Sequence, residues 1–259
     1  DIPLSELHPF KDHPFKVKDD DAMMETADSI RQYGVLVPAI ARPDPNGGYE
    51  LVAGHRRHRA SLLAGLAEMP VIVRAMDDDE ATIIMVDSNL QRETLLPSER
   101  AFAYRMKLEA MKRQGARADL TSRQVVGKLE TADAIGKDVG ESGRQIQRFI
   151  RLTYLVPPLL DMVDEHKVAF NPAVELSYLT SEEQVALLDA MDSEQATPSL
   201  SQAQRLKKFS QEGRLSEDVM RAILSEEKKP EVGKITLSSD KLRRYFPKSY
   251  TPQQMEQTI

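Results

Sequence analysis

The chain has 259 residues, a net charge of −6, 41% apolar side chains and no cysteine. The missing thiols exclude disulfides, thiolate zinc sites and cysteine nucleophiles, and the five scattered histidines form no H-E-x-x-H-type ligand spacing. The apolar content suffices for a sizeable core spread over two or three units, no apolar run approaches the roughly 20 residues that span a bilayer, and the expectation is a cytoplasmic protein without membrane contact.

The first helix is expected from Asp20 to Tyr33, opened by the acidic residues 19–21 and ended by Gly34 as the residue after the cap. Residues 35–41 are apolar and β-rich, with Pro38 marking an edge position or a strand start. Pro43-Asp-Pro-Asn-Gly-Gly48 is a turn cluster and residues 49–53 return, so the pair reads as a hairpin. A helix follows Gly54, with Leu62, Leu63 and Leu66 at helical spacing, and residues 69–74 form another short strand. Residues 77–80 open a helix through Ile83, Ile84, Val86 and Leu90. Leu96-Pro-Ser-Glu99 starts a long amphipathic helix, expected to run to about Gln114 and close at Gly115. Helical patterns and short turns fill residues 121–191, residues 193–201 read as a linker, and helices are expected near 202–212 and 216–227. The tail 228–259 is polar, and Thr251-Pro-Gln-Gln-Met-Glu looks like a helix start; with Asp1 in first place, the expectation is a chain truncated at both ends.

Leu51-Val-Ala-Gly-His-Arg-Arg-His-Arg-Ala60 is the densest chemical signal. It reads as strand, glycine turn and helix, with three arginines and two histidines in the first helical turns. Cations there oppose the helix dipole, and the free N–H groups of the same turn also favour negative charge. The cluster therefore needs an anion, and triphosphate is the natural candidate.

Thr131-Ala-Asp-Ala-Ile-Gly-Lys-Asp-Val-Gly-Glu-Ser-Gly-Arg-Gln-Ile-Gln-Arg-Phe-Ile-Arg-Leu152 has helix-turn-helix spacing. Ile135 and Val139 form the stripe of the first helix, Gly136 permits close approach, Gly140 supplies the turn and Ser142 caps the second helix. Ile146, Phe149 or Ile150, and Leu152 face inward, leaving Arg144, Gln145, Gln147, Arg148 and Arg151 outside, where Arg and Gln suit guanine and adenine edges. A helical hairpin with a solvated basic face fits the same residues. Charge distribution favours DNA: residues 101–155 hold 11 basic and 6 acidic side chains, against 24 basic and 35 acidic elsewhere.

A second polar cluster lies at Asp87-Ser-Asn-Leu-Gln-Arg-Glu-Thr-Leu-Leu-Pro-Ser-Glu-Arg-Ala101, where Asn89, Arg92 and Glu93 gather amide, guanidinium and carboxylate. Read alone it suits either a phosphate and hydrated-cation site or an ordinary polar helix end. Together with Gly54-His-Arg-Arg-His-Arg-Ala60 it resembles the two boxes of the ParB/KorB-type partition proteins, and Gly34-Val-Leu-Val-Pro-Ala-Ile40 is similar to a third family segment. The resemblance covers about residues 2–190. It implies an α+β small N-terminal domain (ParB/sulfiredoxin-like) at 1–96, an all-α helix-turn-helix DNA-binding domain at 97–192, and a linker with a helical C-terminal segment at 193–259.

It further implies that Gly54, His55, Arg56, Arg57 and Arg59 line the triphosphate of CTP, that Asn89 and Arg92 complete the site with Mg²⁺ on Asn89, and that Ser142, Arg144, Gln145, Gln147, Arg148 and Arg151 meet double-stranded DNA at a centromere-like site. The implied protein is a CTP-gated homodimeric clamp associated with nucleoid or plasmid, partnered by a partition ATPase and at most a slow CTPase. Three departures stand out: His55 replaces the first-box glutamate associated with hydrolysis, Ser88 replaces an acidic residue, and Val37 replaces a frequent glutamine. A regulator on the same scaffold without nucleotide turnover is a second reading. A nuclease or phosphotransferase is a third, with residues 77–80 as the dense acidic run near the boxes; the thiol chemistry of the related sulfiredoxin fold is excluded.

Overall fold

The computed structural model describes residues 1–92, 94–119 and 128–226, with side chains given for all of these except 116–119 and 128–130. Glu93, the tail from 228 and the pattern at Thr251 lie outside the described residues.

A mixed four-stranded sheet organises the N-terminal part. β2 (Leu7–Pro9), β3 (Ala39–Pro43), β4 (Tyr49–Ala53) and β6 (Val71–Val73) lie in the order β2-β4-β3-β6, while β1 (Ile2–Pro3) pairs antiparallel with β5 (Glu68–Met69). The expected hairpin is β3–β4, antiparallel, with Asp44 and Gly48 closing the turn. Pro38 precedes β3, a strand flanked on both sides, so its place is at a strand start and not at a sheet edge. Residues 35–37 stay outside the strand, and Leu36 and Val37 are 79% and 62% exposed. Alternation along the strands feeds two apolar layers. Ala39, Ala41 and Leu51 pack with Leu4, Leu7 and Met69 on one side; Val52 meets Phe10, Phe15, Met85 and Val86 on the other.

α1 (Asp21–Tyr33) is capped by Asp20, whose side chain accepts from the Met23 N–H. It packs on α2 (His55–Ala64) through Met23, Ala27, Ile30 and Ala60. The buried positions of α2 are His55, Ala60 and Ser61, whereas Leu62 is exposed; the leucines alone did not mark the inner face. α3 (Asp78–Leu90) begins at an Asp77 cap and lies along α4 (Pro97–Asp119). α4 runs through Gly115 instead of ending there. One glycine costs a helix interior about 1 kcal/mol, which a long helix of otherwise good formers absorbs.

α5 (Lys128–Val139) and α6 (Gly143–Arg151) form the helix-turn-helix, followed by α7 (Pro157–Asp164), α8 (Phe170–Leu176), α9 (Ser181–Glu194), α10 (Leu200–Gln211) and α11 (Glu217–Leu224). One apolar core joins Tyr104 and Leu108 of α4, Ile135, Ile146, Leu159, Leu187, Leu206 and Ile223. The expected linker at 193–201 is the end of α9, a short turn and the start of α10: Pro198 is buried and Ser199 caps α10 reciprocally with Gln202. Residues 1–225 cluster as one unit. Lys107 ties it internally, buried at the α3–α4–α5 junction with Nζ 2.6 Å from Asp87 and 2.9 Å from Asp138.

Candidate anion site and nucleic-acid interface

Gly54 turns β4 into α2. Its φ of +106° is left-handed, and a Cβ there would sit 2.9 Å from the Ala39 Cβ, so both conformation and space demand glycine. The turn aims the following residues in different directions, and the five clustered side chains separate accordingly.

Arg56 faces a cavity of about 560 Å³ lined also by Lys16, Lys18, Asp20, Arg92 and Glu99. Arg92, placed just after α3, lies over the Phe15 ring at 5.7 Å. Burial first, and then Arg56, push the Arg92 pKa down. The four cations outnumber the two carboxylates, and those carboxylates are engaged. Asp20 caps α1 and sits 3.8 Å from Arg56, while Glu99 accepts from the Lys16 N–H at 2.7 Å and the Leu96 N–H at 2.9 Å. An anion entering this cavity relieves repulsion among the cations.

Arg57 points elsewhere: its guanidinium donates to the carbonyls of Val37 and, at 2.6 Å, Pro38, holding the segment before β3 against α2. Arg59 forms a two-bond pair with Asp19 at 2.9 and 2.5 Å. His55 turns inward. Its Nε2 accepts from the Phe10 N–H at 3.3 Å, its ring lies 3.8 Å from the His13 ring, and it does not line the cavity. Burial chiefly, with His13 and Arg92 nearby, pushes its pKa down to about 3, so the imidazole is neutral. Asn89 is buried with its amide donating back to the Met85 carbonyl at 2.8 Å, and it too is absent from the cavity wall.

The cavity therefore gathers Arg56 and Arg92 from the two boxes, while Gly54, His55, Arg57 and Arg59 do not line it and serve the local structure of the N-terminal part. Sequence reading missed Lys16 and Lys18, and gave Glu99 of the second box no role in the site. The Lys16-Val-Lys18 spacing was the available signal for the first two, but nothing local tied that loop to the boxes.

The helix-turn-helix is tight at its turn. A Cβ on Gly136 would meet the Glu141 carbonyl oxygen at 2.4 Å. Asp133 accepts from the Gly143 N–H at 3.1 Å, and the Ser142 hydroxyl accepts from the Gln145 N–H at 3.2 Å. Ile146, Phe149, Ile150 and Leu152 are all buried. Arg144 is exposed, and Gln145, Gln147, Arg148 and Arg151 are half-buried. Arg148 donates to Gln145 at 3.1 Å and to Asn171, with its guanidinium carbon 5.1 Å from the Phe170 ring centroid. Arg151 is anchored to the Ser177 hydroxyl at 3.0 Å and to the Ser177 carbonyl, stacked between Tyr154 and Tyr178. The outer face is thus led by Arg144, Gln147 and Arg148, while Arg151 braces α6 against α8.

The acidic residues 77–80 serve structure: Asp77 caps α3, Asp78 pairs with Arg42 at 2.7 Å and Asp79 with Arg113 at 2.7 Å. Among the described residues, no group of three or more acidic, histidine or cysteine side chains is arranged to hold a metal, and no helix is long and apolar enough to cross a membrane.

A mixed α/β unit with a cationic cavity, joined by a long helix to a helix-turn-helix, defines a two-part architecture in which one part suits an anion and the other a duplex. The N-terminal part belongs to a known family: residues 1–90 match the ParB N-terminal domain. The chain is 34% identical over 184 residues to the chromosome-partitioning protein Spo0J of Thermus thermophilus, covering 71% of this chain and 61% of that one. It is 33% identical over 193 residues to the nucleoid occlusion protein of Listeria innocua, covering 74% and 62%. The chain thus spans about three fifths of the length of these relatives. The crystal structure of C-terminally truncated ParB from Caulobacter crescentus with the centromeric parS site aligns at 24% identity and a TM-score of 0.45, over 86% of this chain and 96% of that one.

Proposed function

We propose that this chain is a site-specific DNA-binding partition protein, acting as a homodimer, in which a nucleoside triphosphate held by the N-terminal unit governs DNA engagement. The observation that carries the reading is the convergence of Lys16, Lys18, Arg56 and Arg92 on one cavity. The cavity also reaches Leu96 and Glu99, at the start of the helix that leads to the helix-turn-helix. A bound polyanion there touches both parts, which is the physical basis for coupling nucleotide to DNA. The assigned division is nucleotide-binding at 1–96, DNA-binding at 97–192 and C-terminal at 193–259, with described residues of the C-terminal segment up to Leu224 sharing the core of the DNA-binding part.

CTP as the triphosphate is the contribution of family resemblance, as are the partition ATPase and the nucleoid or plasmid association. In the described conformation Asn89 is a poor fit to a metal ligand, because its side chain turns back on α3. Mg²⁺, which keeps several waters and binds readily through substrate phosphates, is assigned to arrive with the nucleotide and to neutralise phosphate charge. The chain's own work is to hold phosphate with Arg56, Arg92 and the two lysines, and to brace the surrounding loops with Arg57 and Arg59.

A second reading, a ParB-like regulator without nucleotide turnover, is supported by His55. A neutral, buried imidazole facing His13 lies off the cavity wall and cannot replace a carboxylate's charge there. Calorimetric titration with CTP, ATP and GTP plus Mg²⁺, with and without a duplex selected by the chain, tests both readings. CTP binding that changes on adding the duplex supports the gated protein. DNA binding without any nucleotide binding overturns gating and leaves the regulator. Release of phosphate stimulated by the selected duplex overturns the second reading.

A further inference from the structure

We infer that the cavity between α6, α8 and α10 is a seat for a backbone phosphate of duplex DNA, with Lys207 as the cation that neutralises it. The inference rests on the DNA-binding reading and extends the interface to α10, outside the helix-turn-helix.

Arg144, Gln147, Arg148 and Arg151 follow the i, i+3, i+4, i+7 spacing that puts side chains on one helical face. That face forms a wall of a cavity of about 480 Å³, whose other walls include Glu175 and Tyr178 and the α10 residue Lys207. Four cations therefore meet one carboxylate, an imbalance that an anion corrects. Two of the cations are already anchored. Arg148 is held by Gln145 and Asn171, and Arg151 by both oxygens of Ser177. These two fix α6 to α8 and preset positive charge without swinging to meet a ligand.

Lys207 has more freedom. Its ammonium lies 2.9 Å from Glu175 and 3.7 Å from the centroid of the Tyr178 ring, whose neighbourhood also holds the Arg151 guanidinium carbon at 4.0 Å. An ammonium has three donors, so the Glu175 bond leaves capacity for a phosphate oxygen. Two cations crowded on one aromatic ring repel each other, and a phosphate between them offsets that repulsion. A duplex whose major groove receives α6 brings its flanking strand beside this face, where phosphate contacts set orientation without reading sequence.

The test measures affinity against salt for the full chain, using a duplex selected from a random library by the unaltered protein and a scrambled duplex. Lys207→Gln is expected to make the log K–log salt slope shallower by about 0.9 and to weaken both duplexes by a similar factor. Lys207→Arg is expected to restore the slope. Glu175→Gln, which releases the ammonium, is expected to tighten both duplexes. Lys208→Gln, exposed on the same helix, is the control and leaves the slope in place. An unchanged slope in Lys207→Gln, with only a lower melting temperature, would assign the residue to structure alone and overturn the inference. An equal loss from Lys208→Gln would mean diffuse charge and overturn it too, as would loss of nucleotide affinity in place of the slope change. If the unaltered chain shows no salt-dependent DNA binding, the DNA reading itself fails, a distinct result.

Discussion

Arg56, at the start of α2, and Arg92, just past the end of α3, face one cavity, and the charge of Arg56 adds to burial in pushing the Arg92 pKa down. Two partly buried guanidiniums facing one cavity repel each other, and an anion between them offsets that repulsion. Arg92→Ala is expected to weaken triphosphate binding by about 1.5–3 kcal/mol, the range for charge-assisted hydrogen bonds, with little change in the stability of the ligand-free protein. Calorimetry gives the first quantity and urea unfolding the second. Unaltered affinity would remove Arg92 from the site.

Arg57 behaves differently because its bonds are internal. Arg57→Ala leaves the Val37 and Pro38 carbonyls without their shared donor and is expected to cost about 1–3 kcal/mol of stability. Nucleotide affinity then falls indirectly, through loosening of residues 35–38. Hydrogen exchange at that segment and denaturant unfolding check this; full stability with lost binding would instead make Arg57 a direct ligand contact.

The buried His55 gives stability a pH dependence. Its folded pKa of about 3 lies below the ordinary histidine value of 6.5, so the unfolded chain takes up the extra proton between these values. Stability from this group is complete above about 6.5 and is lost as pH falls toward 3, at up to about 1.4 kcal/mol per pH unit. His13, also lowered chiefly by burial, adds to the same trend. His55→Gln is expected to flatten the curve of unfolding free energy between pH 6.5 and 4. Identical slopes for the two proteins would contradict the buried neutral assignment.

Gly136→Ala probes the helix-turn-helix. The added methyl meets the Glu141 carbonyl oxygen, a backbone atom, at 2.4 Å, so α5 and α6 have to separate. A destabilisation of about 1–3 kcal/mol is expected, with reduced affinity for duplex DNA and intact nucleotide binding. Thermal melting and a DNA titration decide; a neutral substitution would show that the turn has slack.

Local chemistry explains which elements were readable. The β3–β4 hairpin is bracketed by a Pro–Asn–Gly turn, and α5–α6 by Gly140 and the Ser142 cap, signals complete within a few residues. Residues 193–201 misled because serine, threonine and proline suit a flexible linker and a capped, packed turn equally; only the burial of Pro198 distinguishes them. Gly115 misled because a glycine ends a helix only where the chain reverses. Lys16 and Lys18 were passed over because their significance lies in the distant residues they approach.

The sequence by itself determined the β3–β4 hairpin, the starts of α1 to α4 and the helix-turn-helix, that positive charge concentrates after Gly54 and along α6, and that two boxes and a helix-turn-helix follow in order. Tertiary structure alone decided what each charge meets. Neighbouring positions on a helix point about 100° apart, so Arg56, Arg57 and Arg59 leave one short segment for a cavity, a pair of backbone carbonyls and a surface aspartate. His55 and Lys207 make the same point: one is buried against His13, the other set beside α6 by the packing of α10 on α8. Composition assigns charge to a segment, and packing assigns it a partner.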